Sequence, residues 1–354
     1  MVDLLLAGDR RRLRAQGVVR SVYDPCCGSG GMLTIVKEHI TAGETRGGEP
    51  RAPAVNPDAD VHLFGQEVNP ETFAICKSDL FMKSGDGRDA DNVVFGSTLS
   101  NDRHASAGFD YMIANPPYGK DWKRDQDAVR DEHDRGAGGR FGPGLPRISD
   151  GQLLFLLHML AHVRQRDEGG SRVAIIMNGS PLFTGDAGSG ESEIRRWILE
   201  HDLLEALIAL PEQLFYNTGI ATYVWVLTNR KRPARRGRVQ LVDATAFWTL
   251  LRKSLGAKRR EVPFERKQDI LQLLADFEDG ATRRICRDRG GRPEPDPELR
   301  DTENVPLGDD VESFFAREVK PHVPDAWIDT ERRDPQDGKV GLVGYEINFN
   351  RYFY

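Results

Sequence analysis

The sequence predicts an α/β protein with a doubly wound, mostly parallel sheet and a mixed, charged C-terminal extension. Apolar runs of strand length alternate with helical segments from residue 18 to about residue 227. That alternation is the pattern of a parallel sheet with helices on both faces. A glycine-rich turn, Gly28-Ser29-Gly30-Gly31, follows the first run. Residues able to do chemistry fall where the runs end, and ligands of such sheets bind beyond the carboxyl ends of the strands.

The elements follow in order. Residues 18–23 read as a strand and 31–41 as the helix after its turn. Residues 61–67 form a strand closing on an acid, Glu67, and 70–82 a helix with Pro70 in its first turn, where proline sacrifices no hydrogen bond. Residues 92–95 make a short strand, and 109–114 a buried one. The apolar segment 152–166 is helical, 173–177 a strand, 191–201 a helix, 203–209 a strand and 222–227 the final strand. Two stretches interrupt the pattern. Residues 43–60 are rich in Gly, Pro and charge and read as a surface insertion. Residues 120–147 carry Gly136, Gly138, Gly139, Gly142 and Gly144 and read as a mobile lid or a disordered loop. From about Arg230 the composition turns charged and irregular. Pro293, Pro295 and Pro297 mark a linker, and 311–319 an amphipathic helix. The expected division is a catalytic domain over 1–230 and an extension over 231–354 for partner or DNA contact. No internal repeat is visible.

The bulk composition is that of a water-soluble globular chain: 354 residues, 39% hydrophobic and 29% charged. The net charge of −6 is the wrong sign for gripping DNA unaided. If nucleic acid is the substrate, a partner supplies most phosphate contacts. The four cysteines, Cys26, Cys27, Cys76 and Cys286, have neither metal-ligand spacing nor a disulfide pattern. We therefore expect no metal and a reduced, cytoplasmic setting. No apolar run reaches membrane-spanning length, and no signal peptide is visible.

Gly28, Gly30 and Gly31 let the chain bend sharply and bring backbone amides to a ligand at a helix N-terminus. Asp24, at the end of the strand before them, can accept from an ammonium group. Glu67 ends the second strand, where an acid bonds two ribose hydroxyls in nucleotide-binding sheets. The insertion at 43–60 explains its long separation from the turn. A dinucleotide is the first guess from glycines alone, but the spacing is not G-x-G-x-x-G and no pyrophosphate clamp is evident. The plain alternative is a structural turn without a ligand.

The run 109–114 ends in Asn115-Pro116-Pro117-Tyr118. An exocyclic amine on a purine is a poor nucleophile, because its lone pair is shared with the ring. The Asn115 side-chain oxygen and the Pro116 carbonyl can accept both amine hydrogens. Pro116 and Pro117 hold these acceptors in place beforehand. Tyr118 offers a flat face to a base flipped out of a duplex. The plain alternative is a proline turn after a strand. Motif order favours an enzyme that moves a methyl group onto a base.

Together, Asp24-Pro25-Cys26-Cys27-Gly28-Ser29-Gly30-Gly31-Met32, the run from Gly65 to Thr72, and Asn115-Pro116-Pro117-Tyr118-Gly119 resemble the modification subunit of type I restriction-modification systems. The similarity continues through 149–155, 209–219, 253–256 with 258–261, 317–319, 323–329 and 344–349, and so covers most of the chain. The resemblance implies a fold of the S-adenosylmethionine-dependent methyltransferase type and an adenine-N6 DNA methyltransferase. It places Asp24 and the Gly28–Gly31 turn at the methionine part of the cofactor, Ser29 included, and Glu67 at the ribose. Ser97 falls where the family often has an acidic or amide residue near the cofactor's adenine. Asn115, Pro116, Pro117 and Tyr118 would hold the target adenine. Implied partners are DNA, a specificity subunit and a restriction subunit.

The chain also departs from the family. The usual N-terminal helical domain and the Thr-Pro segment closing one pocket wall are absent. Met1 resembles an internal methionine, and the chain stops at Phe353-Tyr354, where the family continues into a helix that meets the specificity subunit. We expect weaker cofactor binding and impaired assembly. Other readings are an inactive scaffold remnant, a methyltransferase acting on a protein glutamine amide, and a dehydrogenase. Lys253, Lys258, Arg259 and Arg260 read as phosphate contacts or as a solvated face.

Overall fold

The middle strands are apolar at nearly every position because both of their faces are covered. All four residues of Tyr111–Ala114 are buried, and so are six of the seven in Arg172–Asn178. Successive side chains point to opposite faces. Tyr23 and Met112 therefore enter one core, while Val22, Tyr111 and Ile113 enter the other. The structure, a computed structural model, describes residues 1–277 except 47, 48, 85, 187 and 217, and residues 286–342 except 288–292, 295–301, 304, 307, 325, 335 and 336. Packing divides the chain into Met1–Thr282 and Arg283–Tyr354.

The first unit opens with α1 (Val2–Leu6), α2 (Arg10–Leu13) and β1 (Val19–Asp24). After the glycine turn come α3 (Gly31–Thr41), the small hairpin β2 (Glu44–Arg46) and β3 (Glu49–Ala52), then β4 (Asp60–Glu67). There follow α4 (Pro70–Lys83), α5 (Arg88–Asp91), β5 (Val93–Phe95), β6 (Tyr111–Ala114), α6 (Gln126–Asp134) and α7 (Gln152–Ala161). Next are β7 (Arg172–Asn178), α8 (Ser180–Phe183), α9 (Gly190–Glu200), β8 (Leu204–Leu210) and β9 (Thr222–Thr228). Beyond them lie β10 (Gln240–Asp243), the hairpin β11 (Thr249–Leu255) and β12 (Lys258–Glu261), and α10 (Phe264–Asp276).

Eight strands pair in the order β10-β8-β9-β7-β6-β1-β4-β5. Every pair is parallel except the two made by β9. The chain winds outward from β1 to β4 and β5, then returns to β6 on the other side of β1. That reversal opens a crevice at the carboxyl ends of β1 and β6, the place where such sheets bind ligands. Leu5, Leu33, Val36 and Leu80 cover one face from α1, α3 and α4. Leu153, Leu157, Ile194 and Ile198 cover the other from α7 and α9. Among the described residues no helix is long and apolar enough to cross a membrane.

Several expectations are corrected. The strand 222–227 is not the last: β10 joins the sheet beside β8, and Ile270 and Leu274 of α10 pack with its Val242. As an edge strand with only Val242 buried, β10 has no apolar run to announce it. Residues 109 and 110 precede β6, where the Asp110 carboxylate accepts from the Ser21 amide at 2.9 Å. Residues 43–60 contain the hairpin β2–β3. Helix α7 stops at Ala161. The most informative correction concerns residues 120–147. They are ordered and packed: they contain α6, and Trp122, Val129 and Phe141 are buried in the main core.

Arg140 explains why that segment stays put. Its guanidinium donates to the Thr98 carbonyl at 2.8 Å, the Leu99 carbonyl at 3.0 Å and His158 Nδ1 at 2.8 Å. It also grips the Glu132 carboxylate with two nitrogens. One buried cation thus ties the segment after β6 to the loop after β5. Arg140→Ala strands these acceptors and a partly buried carboxylate, a loss of roughly 2–3 kcal/mol. Urea melts of the two proteins check this; equal midpoints would refute it.

In the second unit, short strands β13 (Cys286–Arg287) and β14 (Pro293–Glu294) pair antiparallel. Helix α11 (Val311–Phe314) is capped by Asp310, which accepts from the Ser313 amide at 2.9 Å, and runs on as a π-helical turn, Phe315–Val319. Pro295, Pro297, Asn217, Asp325, the run 344–349, Phe353 and Tyr354 lie outside the described residues.

Candidate active site

Three adjacent strands deliver the site. Asp24 ends β1, Glu67 ends β4, and Asn115 follows β6. The register aligns Asp24 with Gly65, and Tyr23 with Met112, so all three side chains leave the sheet at its carboxyl edge.

The turn after β1 needs glycine at two places. Gly28 and Gly30 have φ of +55° and +80°, and a Cβ on Gly30 would lie 2.8 Å from Cys76 Sγ. The Glu67 carboxylate holds the turn from the next strand: Oε2 accepts from the Gly28 amide at 2.9 Å, and Oε1 from the Asn69 amide at 2.7 Å. Asn69 in turn caps α4 by accepting from the Thr72 amide at 3.0 Å. Ser29 and Gly31 are exposed in the same turn.

Asp24 is fully buried. Its Oδ1 accepts from the Cys26 amide at 2.9 Å, but Oδ2 has no partner among the described residues. Burial pushes its pKa up to about 7; the Cys26 hydrogen bonds oppose this and the nearby Glu67 carboxylate adds to it. An unpartnered buried carboxylate oxygen beside a second carboxylate is suited to a cationic partner. A primary ammonium group suits that oxygen, and the remaining lone pairs of Glu67 suit a pair of hydroxyls. Burial and the adjoining Asp24 carboxylate hold the Cys26 thiol neutral, well above its usual pKa, and the Asn115 backbone bonds the same thiol. Cys26 therefore stands between the two motifs.

At the base end Pro116 is buried while Asn115 and Pro117 are exposed. The Tyr118 hydroxyl donates to Asn115 Oδ1 at 2.5 Å. Burial raises the Tyr118 pKa, so this hydroxyl remains a donor. Ser97 is half-buried in the loop after β5, and its carbonyl accepts from the Asn101 amide at 2.9 Å. The structure thus brings every sequence-predicted residue to one edge.

Some residues carry no signal in the sequence. Gln66, fully buried, donates to the Asn101 carbonyl at 2.7 Å and accepts from the Arg103 amide at 3.2 Å, shaping the Ser97 loop. The Thr98 hydroxyl bonds the Pro25 carbonyl, joining that loop to the glycine turn. Asp102, His158 and His162 cluster beneath. Their nitrogens are taken up by Tyr23 (2.9 Å), the Ala107 carbonyl (2.7 Å) and Asp102 (2.9 Å), and the Arg140 guanidinium lies among them. Burial keeps His158 neutral, with a pKa well below the usual value. No local spacing signals contacts that join residues so far apart in the chain.

The sequence pattern of the N-6 DNA methylase family matches residues 11–284. The chain belongs to that family. Within it, the chain is similar to the type I restriction enzyme MjaIX methylase subunit of Methanocaldococcus jannaschii, with 24% identity over 73% of this chain and 42% of that protein. It is also similar to the HindI methylase subunit of Haemophilus influenzae, with 29% identity over 63% of this chain and 44% of that one. It thus spans under half the length of these curated relatives. Among solved structures, the type I restriction-modification methyltransferase subunit of Streptococcus thermophilus superposes with a TM-score of 0.60 and 25% identity, covering 78% of this chain and 51% of that one. The N-6 DNA methylase chain therefore has the α/β fold of those methyltransferase subunits, with its glycine turn, Glu67 and Asn115 all inside the matched region.

Proposed function

We propose that this chain is the catalytic core of an adenine-N6 DNA methyltransferase subunit of a type I restriction-modification system, using S-adenosylmethionine. One observation carries the reading: a preset amine-acceptor motif, Asn115–Tyr118, lies on the strand next to a buried carboxylate with an open lone pair, Asp24. The relatives' names support the class of system. S-adenosylmethionine, when bound, supplies an electrophilic methyl group. The protein's own task is placement. Asp24 and the Gly28–Gly31 turn hold the methionine end, Glu67 the ribose, and the loop at Ser97 the adenine end. Asn115 and the Pro116 carbonyl orient the target amine, and Tyr118 stacks on the base. A separate specificity subunit reads the DNA sequence, and a restriction subunit completes the complex in the cytoplasm. The part beyond residue 230 contacts DNA or partners.

Isothermal calorimetry with S-adenosylmethionine, followed by digestion of methylated DNA to nucleosides, tests the reading. Saturable binding and N6-methyladenine are expected. Absence of cofactor binding would overturn it.

The Asp24 carboxyl gives a pH signature. Its folded pKa of about 7 lies above the ordinary 3.8. The folded protein therefore binds this proton more tightly than the unfolded chain does. Without cofactor, stability falls as pH rises from about 4 to about 7, by on the order of 4 kcal/mol. An ammonium ligand needs the ionised form, so its binding expels a proton below pH 7. Cofactor affinity should drop about tenfold per pH unit from 7 down to 5. Calorimetry in buffers of different ionisation enthalpy counts the released proton. A flat pH profile, or one unchanged in Asp24→Asn, would contradict the assignment.

A further inference from the structure

We propose that the β11–β12 hairpin, with the loop 211–221 to which it is bonded, grips the phosphate backbone of duplex DNA on the side of the base pocket away from the cofactor. The proposal deepens the methyltransferase reading and rests on it.

The strand order sets the geometry. Asp24, Glu67 and Ser97 lie on or beyond β1, β4 and β5, all on one side of β6. Asn115 follows β6 itself. DNA delivering a base to Asn115 has only the other flank to lie on, where β7, β9, β8 and β10 follow. Strands β8 and β10 are parallel to each other, and β8 runs in the direction of β7 and β6. Their carboxyl ends, at Leu210 and Asp243, therefore emerge at the catalytic edge. Both lead directly into the proposed grip. Strands are spaced about 4.8 Å apart, and β9 and β7 separate β8 from β6. The end of β8 thus lies roughly 15 Å from the end of β6.

The hairpin is fastened to that edge. The Ala257 amide donates to the Tyr216 carbonyl at 3.0 Å, and the Arg259 and Arg260 amides to the Gln213 carbonyl at 3.0 and 3.2 Å. Lys258 Nζ sits 5.1 Å from the Tyr216 ring, and the Arg260 guanidinium 4.0 Å from Trp248. Residues 249–261 contain Arg252, Lys253, Lys258, Arg259 and Arg260 and a single acid, Glu261. Among the described residues none of these five cations forms an ion pair, whereas Arg140, Arg172 and Arg230 are all committed to carboxylates. Arg252, Lys253 and Arg259 are exposed, as is Tyr216, at 59%. A chain of net charge −6 thus concentrates positive charge that is unpaired among the described residues, interleaved with aromatic rings, at one place on its catalytic edge. Phosphates recognise that chemistry.

The test uses the whole chain and a fluorescein-labelled DNA duplex, with anisotropy read across a salt series. The variant Lys253→Gln/Lys258→Gln/Arg259→Gln is compared with Arg10→Gln/Arg11→Gln/Arg12→Gln. The control removes equal charge at the opposite edge, where Arg12 bonds the Gly169 carbonyl ahead of β7. S-adenosylmethionine binding is measured on all three proteins. The hairpin variant should lose at least tenfold in DNA affinity, and its slope of log K against log salt should shrink by about 2 to 3. The control should keep the parent's affinity and slope, and cofactor binding should be equal throughout. Parent-like DNA binding by the hairpin variant, an equal loss in the control, or no salt-dependent binding by the parent would each overturn the proposal. Loss of cofactor binding by the parent, with the DNA result intact, would instead defeat the methyltransferase reading.

Discussion

Asn115→Ala is expected to slow methyl transfer to DNA by about a hundred- to a thousandfold while leaving S-adenosylmethionine affinity nearly unchanged. In the proposed mechanism the side-chain oxygen accepts from the reacting amine, and removing one such preset group costs about that much in other enzymes. Its position does not depend on the cofactor turn: β6 carries it, and Pro116, buried behind it, fixes the backbone. The Tyr118 hydroxyl donates to this oxygen at 2.5 Å, so the acceptor is satisfied and oriented by the fold. In the proposed mechanism the amine replaces that hydroxyl, and the ring is then released to stack on the base. Rates from labelled S-adenosylmethionine, with calorimetry alongside, separate the two effects. A rate within fivefold of the parent would refute the acceptor role. A parallel loss of cofactor affinity would show that Asn115 works through the fold.

Glu67→Ala should have the converse signature: cofactor affinity down a hundredfold or more. Each hydrogen bond from a neutral donor to a carboxylate contributes about 1.5–3 kcal/mol, and the proposed role of Glu67 involves two ribose hydroxyls. The same carboxylate already accepts from the Gly28 and Asn69 amides. Its loss therefore also loosens the glycine turn and the start of α4. Glu67→Gln retains one acceptor oxygen of similar shape and should lie between parent and alanine variant. Thermal melts without cofactor report the structural part, and calorimetry reports the sum. Binding by Glu67→Ala within threefold of the parent would remove Glu67 from the cofactor site.

Both residues are legible in the sequence because their chemistry is local. A glycine turn after a strand, an acid ending the next strand and Asn-Pro-Pro-Tyr after a third each fit within a few residues. The apolar runs of β6 and β7 are legible for a related reason, since a strand buried on both faces must be apolar nearly throughout. Where burial is one-sided the signal fades. Strand β10 buries only Val242, so the apolar pattern stops one strand short of the sheet's edge. The segment 120–147 misleads for the opposite reason: its glycines and charges signal a loop, yet Trp122, Val129 and Phe141 pack into the core and Arg140 is hydrogen-bonded on several sides.

Composition and periodicity thus settled the fold class, and short motifs settled which residues are candidates for the chemistry. Tertiary structure alone decided how they share one crevice. The strand order puts β1 between β4 and β6, leaving Asp24 with an open lone pair and Cys26 between the two motifs. It also packs the segment after Asn115 as a wall bonded to the Ser97 loop. Those outcomes depend on contacts between residues far apart in the chain, such as Thr98 with Pro25 and Arg140 with Leu99. Only folding brings such pairs within hydrogen-bond distance, so no local pattern of residue types encodes them.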